Sequence, residues 1–206
     1  MSAAAIVLAA GASSRMGSPK PLLACRGGTF LGSLLTTLGQ VDGVTARIAV
    51  LGHQAAQVRR GVDLAGARAV TCRGWRGGML ASLRCGLRAA LAQDHALEAA
   101  LICHVDQPGL RPSTPARLLS AFRAGRGDVL VATHGGRRGH PVLLARPFID
   151  RLLSGRRSWT LAEAIAALAH RQSEVACPDA AVTQNVNTVE ALEHFRRSQL
   201  NVHNPC

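Results

Sequence analysis

The chain has 206 residues, 48% of them hydrophobic and 3% aromatic, and a formal net charge of +12. That length suits a single domain with a full core, and the scarce aromatics argue against stacking platforms for single-stranded nucleic acid. The arginines lie scattered in ones and twos with no basic tail or reader motif, so no nucleic-acid partner is expected; a dispersed positive field suits a small polyanion.

The first apolar run, Ala3–Ala9, reads as a short buried strand. It enters Leu8-Ala9-Ala10-Gly11-Ala12-Ser13-Ser14-Arg15-Met16-Gly17-Ser18-Pro19-Lys20, which is glycine-bearing and polar and ends on cations. A strand running into such a loop outlines a phosphate site: glycine lets backbone N–H groups approach an anion, and the cations supply charge. Neither G-x-x-x-x-G-K-S/T nor G-x-G-x-x-G is present. Lys20 is the only lysine of the chain. Either it survives by chance or this position needs a compact ammonium that the planar arginine fork cannot replace.

Thr29 is placed to cap a helix over Phe30–Gln40, with Phe30, Leu34, Leu35 and Leu38 on one face. Ile48–Leu51 reads as a strand, His53–Arg60 as a short helix with Ala56 and Val58 inward, and Ala67–Cys72 as a third strand. This alternation implies a parallel sheet covered on both faces, with ligands beyond the carboxyl ends of its strands. Arg73–Gly78 then leads into a helix over Met79–Gln93. Gly78 and Ser82 lie at its start, as part of an ordinary turn or as a rim for an anion or the polar edge of a base.

Ala99–Val105 is the most apolar strand and reads as central. Asp106 at its end is either a turn cap ahead of Pro108 or a ligand for a hard cation such as Mg²⁺. A helix over Ser113–Ala124 and a strand over Asp128–Thr133 follow. Gly135–Gly139 reads as a mobile basic turn, and His140–Leu144 as a strand that Pro141 places near a sheet edge. On its own, His140 reads as a structural histidine satisfying a turn carbonyl. Pro147–Leu153 and Ser158–Ala169 are predicted helices, Asn185–Leu192 opens a last amphipathic one ending near Arg197, and the end of the chain is a polar tail.

The six cysteines form no Cys-x-x-Cys pair and no zinc spacing, so they read as free thiols. No apolar stretch reaches membrane length and no signal-peptide pattern opens the chain, so the expected location is cytoplasmic, with no membrane partner.

The first loop, together with Gly78-Met79-Leu80-Ala81-Ser82-Leu83, Asp106-Gln107-Pro108, Gly139-His140-Pro141-Val142 and Asn185-Val186-Asn187-Thr188-Val189-Glu190, resembles in type and order the MocA-like molybdenum cofactor cytidylyltransferases of the MobA-like NTP transferase superfamily. The resemblance covers nearly the whole chain. It implies a Rossmann-like three-layer α/β sandwich with a mainly parallel central sheet, of the nucleotide-diphospho-sugar transferase type. It implies one domain over residues 1–206, with 1–110 mainly nucleotide-binding, 111–198 mainly acceptor-binding and 199–206 a tail. The implied reaction is Mg²⁺-dependent transfer of CMP from CTP to the phosphate of molybdopterin, with pyrophosphate released.

In that scheme Leu8, Ala9, Ala10, Gly11, Ala12, Ser13, Ser14, Gly78 and Ser82 bind the nucleotide, and Arg15, Lys20 and Asp106 are catalytic. Asp106 and Asn187 hold the metal, and His140 and Asn185 meet the acceptor. Two stretches depart from the family pattern. Ser154–Thr160 replaces a Gly-Asp-x-Gly-Ala-Arg-like element, and Asn185 and Asn187 stand where cytidylyl members carry Asp. The asparagine pair is also seen in related guanylyltransferases, so GTP and another phosphorylated acceptor form one alternative. A non-catalytic nucleotide-binding accessory of a client molybdoenzyme forms another.

Overall fold

The computed structural model of the chain describes residues 1–13, 16–25, 27–156 and 159–201. Strand β1 (Ala3–Ala9) is buried along its whole length. Two short strands, β2 (Ala24–Cys25) and β3 (Gly28–Thr29), pair antiparallel ahead of helix α1 (Phe30–Gly39). As predicted, Thr29 caps α1, its side chain accepting from the Gly32 N–H. Next come β4 (Val44–Leu51), α2 (Ala55–Gly61), β5 (Arg68–Thr71), α3 (Met79–Gln93), β6 (Ala99–His104) and α4 (Ser113–Arg123). The chain continues through β7 (Val129–His134), β8 (Arg137–Ala145), α5 (Arg146–Ser154), α6 (Leu161–Leu168), β9 (Gln172–Ala176) and α7 (Val189–Asn201).

Seven strands form one sheet in the order β5-β4-β1-β6-β8-β7-β9. β1 pairs in parallel with β4 and β6, β4 with β5, and β7 with β9; only β8 runs antiparallel to its neighbours. From β1 the chain steps outward through β4 to β5, then returns to place β6 on the other side. The strand order therefore reverses beside β1, which leaves a crevice beyond the carboxyl ends of β1 and β6.

The pleat sends alternate residues of β1 into two cores. Ala3, Ala5, Val7 and Ala9 join the layer of α1, α2, α4 and α7, while Ala4, Ile6 and Leu8 join the layer of α3, α5 and α6. The three-layer α/β sandwich expected from the sequence is present. Gly86 sets how closely α3 approaches: a Cβ there would lie 2.6 Å from Ile6 Cγ2 and 2.7 Å from Val50 Cγ2. Buried Arg84 ties the same helix to the carbonyls of Leu152, Gly155 and Arg156, just where the sequence departs from the family pattern.

Four local expectations are corrected. Ala56 is exposed, and α2 begins at Ala55 and packs through Val58. Pro141 lies in the sheet interior, because β8 is flanked by β6 and β7. Its missing N–H is tolerated there because the β6 ladder ends at Val142 and the β7 register slips between Val131 and Thr133. The Gly135–Gly139 turn is shorter than predicted, since Arg137 already pairs with His134. The helix predicted over Ser158–Ala169 is Leu161–Leu168, closed at its start by a capping box between Thr160 and Glu163. Strand β9 was not foreseen: it is an edge strand with only Val175 buried, and it carries no period-two signal. Among the described residues no helix is long and apolar enough to cross a membrane.

Candidate active site

β1 and β6 deliver two loops to the crevice. After β1 the chain turns through Ser13, a non-glycine residue at φ +53°, and returns at Lys20, whose backbone N–H donates to Ser13 Oγ at 3.1 Å. After β6, Asp106 stands at the strand's carboxyl end, and its backbone carbonyl accepts from the Val186 N–H at 2.7 Å. Asp179 and Gln107 position the segment that carries Val186. Buried Asp179 accepts from the Arg111 N–H, the Thr114 hydroxyl and the Ala181 N–H, and Gln107 donates to the Val182 carbonyl. Positions far apart in sequence thereby converge. The Lys20 ammonium lies 3.5 Å from Asp106 Oδ2 and donates to Asn187 Oδ1.

Three cavities open around this cluster. The smallest, about 140 Å³, is lined by Leu8, Ala9, Gly11, Ser13, Lys20, His104 and Asp106. A second of about 340 Å³ lies between the first loop and the start of α3, lined by Leu8, Ala10, Gly11, Trp75, Arg76, Gly78, Met79, Ser82 and His104. Gly78 sits at φ +89° as the residue before α3, a conformation that favours glycine, and the helix start lines this space through Met79 and Ser82. Trp75 forms one wall, with His53 edge-on at 5.5 Å and the Arg76 guanidinium 5.1 Å from the ring centroid. The third cavity, about 510 Å³, is mainly aliphatic: Val131, Val142, Leu161, Ile165 and Val182 line it, with Gln107, Arg138, His140 and Asn185 at its polar edges.

Nine of the residues named from sequence line the two cavities beside the first loop, namely Leu8, Ala9, Ala10, Gly11, Ser13, Lys20, Gly78, Ser82 and Asp106, and Asn187 contacts one of them, Lys20. His140 and Asn185 line the large cavity. Ala12 is exposed and lines none of the three. Ser14 and Arg15 lie outside the described residues. Sequence reasoning missed His104, Trp75 as a wall, and the aliphatic face of α6. A polar residue closing an otherwise apolar strand was the one available signal for His104.

Burial, and then the Lys20 ammonium, hold the His104 imidazole down to about 4. Burial and then His104 hold His140 down to about 4, against an upward pull from Asp106. Both rings are neutral at pH 7.

Asp106 Oδ1 is buried with no hydrogen-bond partner among the described residues. An orphaned carboxylate oxygen beside a phosphate-sized cavity fits a hard cation, and Asn187 Oδ1 offers a second oxygen. No group of three or more His, Cys, Asp and Glu able to hold a metal occurs among the described residues, so a cation here needs oxygens from the substrate.

Residues 5–177 match the MobA-like NTP transferase domain. The chain is 34% identical over 203 residues, 91% of it and 93% of the relative, to the nicotine blue oxidoreductase of Paenarthrobacter nicotinovorans. Among solved structures it is similar to Rv0371c of Mycobacterium tuberculosis H37Rv, with TM-score 0.79, 29% identity, and coverage of 96% of this chain and 98% of that one. A manganese complex of Rv0371c gives TM-score 0.76 at 27% identity, covering 96% and 100%. The chain belongs to the MobA-like NTP transferase family and carries that family's nucleotidyltransferase domain.

Proposed function

We propose that the chain transfers CMP from CTP to the terminal phosphate of a molybdopterin-type acceptor, with Mg²⁺ as cofactor and pyrophosphate as the second product. The observation that carries this reading is the meeting of Lys20, Asp106 and Asn187 at a phosphate-sized cavity. The manganese complex of Rv0371c supports a divalent ion in a relative of this chain.

In this reading the cytidine occupies the cavity between the first loop and α3, along Ala10, Gly11, Gly78 and Ser82. Backbone N–H groups of residues 11–14 and Ser13 Oγ hold the phosphates, and Arg15 grips the outer ones as a fork. Lys20 leaves its resting partners to neutralise charge at the α-phosphate, a role for a compact ammonium. Asp106 Oδ1 and Asn187 Oδ1 would hold the cation, which screens the triphosphate's charge when bound. The acceptor lies in the aliphatic cavity with its polar groups towards His140 and Asn185. Its phosphate is already ionised, so no general base is required, and the protein's work is positioning and charge stabilisation. Residues 1–110 then serve mainly the nucleotide and 111–198 mainly the acceptor, in a cytoplasmic enzyme supplying a client molybdoenzyme.

The test is Mg²⁺-dependent pyrophosphate release on mixing the protein with CTP and molybdopterin. Release with CTP alone among the triphosphates supports the reading; preference for GTP moves it to guanylyl transfer.

A second reading has its own observations. The 34% identical relative is named an oxidoreductase, and asparagines replace the acids that cytidylyl members carry at 185 and 187. The same cavities would then take a hydride-donating dinucleotide and a planar electron acceptor. Saturable binding of a reduced nicotinamide dinucleotide, with no pyrophosphate release from any triphosphate, favours this reading over the first.

A further inference from the structure

Two histidines in ring contact join the linings of the three cavities. His104 closes β6 and lines both nucleotide-side cavities, while His140 in β8 lines the large aliphatic one. Their ring centroids are 3.9 Å apart, with the planes inclined at 36°. His104 Nε2 is buried and has no hydrogen-bond partner among the described residues. Buried polar atoms are nearly always paired, so an orphaned one between open cavities calls for a partner that arrives with a ligand.

Nucleotidyl transfer has one atom that is joined in turn to all three pieces of the reaction. The α-phosphorus carries the nucleoside throughout, gives up pyrophosphate and accepts the incoming oxygen. It must therefore lie where the three cavities meet, beside the histidine pair. We propose that His104 is a further catalytic residue, whose Nε2–H donates a hydrogen bond to a non-bridging oxygen of the α-phosphate. This assignment rests on the nucleotidyl-transfer reading above.

In the step, an acceptor phosphate oxygen forms a bond to the α-phosphorus. The bond from that phosphorus to the oxygen bridging to pyrophosphate breaks, and the bridging oxygen leaves with the electron pair. His104 keeps its proton throughout and stabilises charge on the oxygen it touches. His140 is a positioning residue here: its ring supports the face of His104 and keeps Nε2 aimed at the junction.

The experiment titrates CTP and the two α-thio diastereomers of CTP, each with Mg²⁺, into wild type, His104→Gln and His104→Leu, with thermal melting as the folding check. The account expects His104→Leu to bind CTP about tenfold more weakly, as for loss of a hydrogen bond to a charged group, and to lose most of the wild type's preference between the diastereomers. His104→Gln keeps an N–H donor and recovers most of both. If His104→Leu does not fold, His104→Asn, which ends short of the Nε2 position, carries the same expectation. A folded variant without the donor that keeps wild-type affinity and diastereomer preference overturns the assignment alone. A folded wild type that binds neither CTP nor its α-thio forms overturns the cytidylyl-transfer reading and this assignment together.

Discussion

The two sides of the crevice are built by different means. On the β1 and β6 side, the small cavity is made of backbone at two strand ends, as at Gly11, and of the polar side chains of Ser13, Lys20 and Asp106. On the β7, β8 and α6 side, the large cavity is walled by aliphatic residues from separate elements, Val131, Val142, Leu161 and Ile165, with polar groups only at its edge. The first side suits a ligand whose charge and shape are fixed, such as a triphosphate. The second suits a bulky group recognised mostly by shape, so change there is expected to alter the acceptor while the nucleotide stays the same.

The sharpest way to break this contrast is Lys20→Arg. The planar fork cannot stand between Asp106 and Asn187 as the ammonium does, so turnover should fall about 100- to 1,000-fold, the cost of removing a preorganised charge-stabilising group, with melting unchanged. Wild-type rates in that variant would show that any cation suffices there. Next is Gly139→Ala on the opposite side. A Cβ at 139 would lie 1.8 Å from the Val182 carbonyl oxygen, so the backbone must move. A stability loss of about 1–3 kcal/mol, read from denaturant unfolding, is expected from such overpacking. A weaker acceptor KM should accompany it, because Val182 and Gly139 both line the large cavity.

Ala166→Trp sharpens the contrast most selectively. Ala166 is exposed and lines only the large cavity of the three, so the ring can enter that space without disturbing the core. Acceptor affinity should fall about tenfold, or about 1.4 kcal/mol, while CTP titrates as in wild type. Equal weakening of both ligands would mean that the two sides act as one. The smallest effect concerns pH. His104 and His140 titrate near 4 in the fold but near 6.5 when unfolded, so the unfolded chain binds more protons between those values. Stability from this pair is complete above about pH 6.5 and is lost as pH falls towards 4. The denaturation midpoint should drop across that window, and His140→Leu should flatten the drop.

What could be read from sequence follows the same division. The placement of the first loop, Gly78 and Asp106 at the crevice was legible because it depends on local backbone: a strand end, a left-handed turn, a helix start. Lys20 stood out through its rarity. The large cavity was not legible, because it exists only after β8 has inserted between β6 and β7, a pairing no local pattern announces. Pro141 pointed to an edge because the bulge that tolerates it arises from pairing with β7. β9 escaped because an edge strand with one buried residue lacks alternation. His104 escaped because the side chain it meets, His140, comes from another strand.

Calorimetric titration of CTP, GTP and ATP, each with Mg²⁺, into wild type and Asp106→Ala tests the central claim most directly. The claim predicts saturable binding of CTP in preference to the other two, and loss of its Mg²⁺-dependent part in the variant. Equal binding of CTP by both proteins, or no binding of any triphosphate by a folded wild type, would contradict it.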